Sequence, residues 1–192
     1  MTEKLERVGM GFLFLWLVAN VVGWVAAQGV WSLLKVLSEM LPGYAAGFLA
    51  GATIGAMQWL VLRSYIIKAK QWIVATIVAW GIGLAIMYYL SRIYGEYGYI
   101  IGAAITGAIV GLGQWLVLRS AIPRTWLLIP INTLGLAISL AIGVGGSIAV
   151  LNWSGLPALV GMMALGGMLY AVISGFALML LIERALWRRK KR

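Results

Sequence analysis

The sequence contains no cysteine, no histidine and no aspartate, and only 10% of its residues are charged. Without thiols there are no disulfides and no thiolate nucleophile. Without imidazole, the usual haem and zinc ligands and every His-dependent catalytic triad are excluded. The five acidic residues, Glu3, Glu6, Glu39, Glu96 and Glu183, fall in expected loops or at span ends, so none is placed deep inside an apolar segment. Proton-coupled transporters and voltage sensors rely on ionisable groups at that depth. Coupled transport through a buried carboxylate and intramembrane hydrolysis are therefore not expected, and the chain reads as non-enzymatic. No haem or metal is expected, and the sequence names no other cofactor.

What is present is apolar: 63% of the 192 residues are hydrophobic, with a mean hydropathy of +0.99. Soluble domains carry roughly 25% charged residues, so a water-soluble fold is excluded. The net charge of +10 is spread over short loops and a tail, without the clustered aromatic and polar readout chemistry that nucleic-acid binding requires. No nucleic-acid partner is expected.

A helix needs roughly 20 apolar residues to cross the hydrocarbon core. Uncharged runs cover Val8 to Leu34, Met40 to Leu62, Gln71 to Ser91, Tyr97 to Leu118 and Thr125 to Ile182. The last is too long for one span, and Asn152, Trp153, Ser154, Gly155 and Pro157 supply turn chemistry near its middle. Six spans are expected, at 8 to 30, 43 to 63, 71 to 90, 98 to 119, 125 to 149 and 157 to 183. With that count Lys4, Arg7, Arg63, Lys68, Lys70, Arg119, Arg124, Arg184, Arg188, Arg189, Lys190, Lys191 and Arg192 share one side, and only Lys35 and Arg92 lie on the other. The positive-inside rule then places both termini in the cytoplasm. The expected location is a bacterial inner membrane, or an internal photosynthetic one.

The segment from Gly47 to Ser64 recurs from Ala103 to Ser120, an offset of 56 residues, and both copies end in QWLVLRS. Identity over seven consecutive residues points to duplication. A degraded third copy follows at an offset of 64: Gly47, Gly51 and Gly55 correspond to Ala103, Gly107 and Gly111, then to Gly167, Ala171 and Gly175. In that copy Leu178 stands where Gln58 and Gln114 stand. The expected architecture is an all-α, integral membrane six-helix bundle of three tandem parallel two-helix hairpin repeats, with both termini inside. It forms one transmembrane domain over residues 1–192, with units of about 8–70, 71–124 and 125–192.

On these residues the chain resembles a set of uncharacterised bacterial membrane proteins, frequent in photosynthetic lineages, built from tandem hairpins with a Gly-rich span ending in QWLVLR. The resemblance covers spans two to five and implies fold and topology only.

The small residues Gly47, Gly51, Gly55, Ala103, Gly107, Gly111, Gly167, Ala171 and Gly175 form smooth stripes that admit a neighbouring helix to close range. That neighbour is either within the chain or in another copy. Gln58 and Gln114 each precede an arginine by five residues, which places them about 7.5 Å deeper in the membrane. Amides at that depth require partners, and with Asn20 and Asn132 they are read as helix glue or as the lining of a polar pocket. Arg63 and Arg119 end their spans, and Arg188, Arg189, Lys190, Lys191 and Arg192 form a basic tail. These cations are expected to contact anionic lipid headgroups at the cytoplasmic face. Trp16, Trp59, Trp72, Trp115, Trp126 and Trp187 are expected to form an interfacial belt, whereas Trp80 falls in mid-span, where it would line a pocket for a flat apolar ligand. Pro130 is expected either to distort the first turn of span five, with Asn132 and Thr133 compensating, or to open with them a polar notch used by a solute.

Two functions follow. The first is a structural or accessory subunit that packs against a larger membrane assembly or against copies of itself through its glycine faces. The second is a binding or transport protein for a small solute or apolar ligand, in which Gln58, Gln114, Asn20 and Asn132 line the site.

Overall fold

A computed structural model describes residues 8–37, 43–66, 69–149 and 156–190. Its described residues are helical apart from short turns, with six helices long and apolar enough to cross a membrane. They are α1 (Met10–Leu37), α2 (Gly43–Leu62), α3 (Ala69–Gly95), α4 (Tyr97–Leu118), α5 (Leu128–Ala149) and α6 (Leu156–Lys190). The expected turn at 152–155 lies outside the described residues.

The helix ends differ from the sequence expectation in three places. Helix α1 continues past Lys35 to Leu37, and α6 continues through its basic residues to Lys190. The turn between α3 and α4 is a single break at Gly95 (φ 59°, ψ −133°). Side chains rarely adopt that backbone conformation, so glycine permits the chain to reverse within one residue. At the start of α5, a short 3-10 turn at Thr125–Leu127 precedes Leu128. Pro130 then falls in the first helical turn, where a missing N–H costs least. Asn132 and Thr133 direct their side chains to the Leu128 and Ile129 carbonyls, at 2.6 and 2.8 Å.

Close backbone approaches fix the order of the helices. A Cβ on Gly51 would lie 2.7 Å from the Thr76 carbonyl and from Ile77 Cα, which ties α2 to α3. On α4, Gly107 rests on the Asn132 carbonyl and a Cβ on Gly111 would meet the Leu128 carbonyl at 2.5 Å, which ties α4 to α5. On α6, Gly167 and Gly175 accommodate the indoles of Trp24 and Trp16 on α1. Gly23 meets Ile54 between α1 and α2, Gly102 meets Met87 between α3 and α4, and Gly135 meets Ile173 between α5 and α6. Each helix therefore touches its sequence neighbours, and α6 returns to α1 to close the ring.

Two apolar cores fill the ring. One, at the end bearing Arg63 and Arg119, gathers Val8, Phe12, Trp16, Leu62, Trp72, Leu118, Leu128, Leu178 and Ile182. The other, toward the opposite end, contains Ile54, Trp80, Ala103, Val110, Leu136 and Tyr170. The outer faces are apolar, with rows such as Val74, Val78 and Ile82 on α3 and Leu134, Ile138 and Ile142 on α5 exposed at helical spacing. An apolar exterior around a polar-containing interior suits lipid as the solvent.

Candidate functional site

Between the two cores lies a polar layer. Asn20, Gln58, Thr76, Gln114 and Asn132 are at most 2% exposed, and in hydrocarbon each must find its partner inside the bundle. Gln58 does so twice. Its amide nitrogen donates to Asn20 Oδ1 at 2.8 Å, and its carbonyl accepts the Trp72 indole N–H at 2.8 Å. Asn20 donates in turn to the Trp16 backbone carbonyl at 2.8 Å, and the Trp16 indole donates to Ser174 Oγ at 3.1 Å. One chain of hydrogen bonds thus runs from α3 through α2 and α1 to α6.

A second chain links α4, α5 and α6. Asn132 donates to Gln114 Oε1 at 3.0 Å and to the Leu128 carbonyl, while its own Oδ1 accepts the Tyr170 hydroxyl. The Gln114 amide nitrogen makes no hydrogen bond of good geometry, and the polar group within its reach is the Tyr170 hydroxyl. The contrast with Gln58 has a local cause. Asn20 stands 38 residues before Gln58, and the residue 38 before Gln114 is Thr76. Its shorter side chain turns to the Trp72 carbonyl at 2.7 Å, so the position equivalent to Asn20 offers Gln114 no amide oxygen.

The four polar residues singled out in the sequence thus pair directly, Gln58 with Asn20 and Gln114 with Asn132. The small-residue stripes are turned inward: those of α2 and α4 meet α3 and α5, and Gly167 and Gly175 meet α1. These faces are occupied by neighbouring helices of the same chain.

The tryptophans divide in a way that interfacial preference did not anticipate. Trp16 and Trp72 are fully buried, edge to face with ring centroids 6.0 Å apart. Their indole N–H groups serve the polar layer rather than a headgroup belt. Trp126 and Trp187 are exposed, as a belt requires. Trp80 is buried edge to face against Trp24 at 5.0 Å. Arg63 lies over the Trp59 ring and Arg119 over the Trp115 ring, each at 5.4 Å. That cation–π contact anchors each arginine at its span end.

Sequence reasoning missed Tyr170, Ser174, Trp16 and Trp72 as members of the layer. A signal for Tyr170 was present, since it follows Asn132 by 38 residues as Gln58 follows Asn20. Matching the glycines of α6 hid it, because the stripe aligns Leu178 with the glutamines.

Among the described residues no three His, Cys, Asp or Glu side chains come together to hold a metal. The layer offers neutral hydrogen-bond donors and acceptors, which bind helices or a neutral solute. The fold and this layer define a multi-pass α-helical membrane protein. The chain matches no family model, no curated protein and no solved structure.

Proposed function

We propose that the chain is a non-enzymatic structural or accessory subunit of a larger assembly in a bacterial inner or internal photosynthetic membrane. In this reading both termini are cytoplasmic, and three hairpins of common ancestry pack about an axis along the membrane normal. The repeat reading is supported by contacts that recur at the offset of 56 residues: Gly51 on Thr76 and Gly107 on Asn132. The orientation is supported by the sharing of one end by Arg63, Arg119 and the start of α1.

The observation that carries the accessory role is the pairing of Gln58 with Asn20 and Trp72. Amides on a solute pathway present their polar atoms to water, whereas these spend theirs on neighbouring helices. With the glycine faces occupied internally, a protein partner meets the outer apolar rows. Anionic lipid headgroups meet Arg63, Arg119 and the basic tail at the cytoplasmic face.

The second reading, a binding or transport protein for a small neutral solute, is favoured by the unpartnered Gln114 amide at the bundle's centre. Native mass spectrometry of the protein extracted gently from its own membrane separates the two. A stoichiometric protein partner supports the accessory role. A lone monomer or homo-oligomer carrying a defined small molecule overturns it.

A further inference from the structure

Three more buried polar atoms have no hydrogen-bond partner: the Trp24 indole nitrogen, the Gln28 amide nitrogen and Ser139 Oγ. Ser139 is 2% exposed and Gln28 8%. They sit on α1 and α5, and α6 joins them. A Cβ on Gly166 would lie 3.3 Å from the Ser139 carbonyl, and one on Gly167 3.1 Å from Trp24 Cδ1, the ring carbon bonded to that nitrogen. Gln28 follows Trp24 by one helical turn and so shares its face of α1.

Each of these atoms carries hydrogen to donate. An unmet donor in an apolar interior costs about 1–3 kcal/mol, so an occupant that met these would stabilise the bundle. Buried waters characteristically satisfy about three such groups at once. All three side chains are neutral, which selects a neutral occupant. The tight glycine contacts limit its size.

We propose that the junction of α1, α5 and α6 around Gly166 and Gly167 is a hydrated pocket, in which water or a water-sized neutral solute accepts hydrogen bonds from Trp24 and Gln28 and donates one to the Ser139 hydroxyl. It lies beyond the Asn20–Gln58 layer, on the side away from Arg63. The pocket is compatible with an accessory or a transport role, so its failure leaves the functional proposal standing.

The absence of native cysteine allows a direct test. Single variants Ser139→Cys and Gln28→Cys are exposed to 2-aminoethyl methanethiosulfonate, which reacts with the thiolate and therefore needs water at the sulfur. Leu136→Cys, on the same helix and 4% exposed, is the dry control, and Leu134→Cys, 62% exposed, is the lipid-facing one. The expected result is labelling of both test cysteines at least about ten-fold faster than either control. Labelling no faster than Leu136→Cys, in protein with native elution and melting temperature, overturns the pocket. Should Ser139→Cys misfold, Gln28→Cys carries the comparison. Independently, Gln28→Leu lowers the melting temperature if its amide is hydrated. A rise or no change means the donor has no occupant and overturns the proposal.

Discussion

The Gln58 amide nitrogen lies 2.8 Å from Asn20 Oδ1, which binds α1 to α2 at the depth where the two apolar cores meet. Because Gln58 also accepts from Trp72, it serves three helices, whereas Gln114 accepts one bond and leaves its nitrogen unmatched.

Replacing each glutamine separately should therefore give unequal results. Gln58→Leu strands both Asn20 Oδ1 and the Trp72 N–H and is expected to cost about 1–3 kcal/mol. Gln114→Leu removes one bond and one orphaned donor together, for an expected cost of about 0–1 kcal/mol. Melting temperatures in a common detergent measure the difference. Equal losses would contradict the asymmetry.

Thr76→Asn should supply the acceptor that Gln114 lacks. The site accommodates asparagine by analogy with Asn132, which packs beneath Gly107 as Thr76 packs beneath Gly51. A gain of about 0.5–1.5 kcal/mol is expected. If Gln114→Leu is already present, the gain should vanish, and a double-mutant cycle tests that coupling.

The glycine contacts predict position-dependent tolerance. Gly107→Ala would drive a methyl into the Asn132 carbonyl and is expected to cost about 1–3 kcal/mol by separating α4 from α5. Gly11→Ala, with nothing within 4 Å of its Cβ, should be neutral or stabilising by up to about 1 kcal/mol through helix propensity alone.

Gly95→Ala isolates backbone conformation from packing, since its Cβ would also meet nothing within 4 Å. The cost, about 1–3 kcal/mol, should come wholly from the positive φ at the α3–α4 reversal. Unfolding of the purified variant reads it, with Gly11→Ala as the comparison.

Much of this architecture is legible in the amino-acid sequence. Uncharged run length locates four spans, and turn chemistry near the middle of the fifth run divides it into the other two, because lipid imposes a minimum length and excludes unpaired backbone. The glycine spacing in α2 and α4 marks the faces that meet α3 and α5, and the depth of Gln58 and Gln114 marks them as needing partners. The reversal at Gly95 is not legible, since a loop and a single strained glycine leave the same apolar pattern. Nor are the roles of Trp16 and Trp72: an indole near a span end satisfies its N–H equally well at a headgroup or at a buried acceptor. Tyr170 escapes because α6 is registered by its small residues, which aligns Leu178 with the glutamines, although Tyr170 keeps from Asn132 the 38-residue spacing that Gln58 keeps from Asn20.

The polar layer also bears on how the bundle can move. A hydrogen bond tolerates only a few tenths of an ångström along its axis, whereas sliding a helix by one turn displaces it about 5.4 Å. Piston displacement of α2 would break its bonds to Asn20 and Trp72 together. Apolar contacts on either side are less directional and can readjust as helices tilt. The bundle is therefore latched against axial sliding at one depth, while rocking about that depth leaves the latch closed.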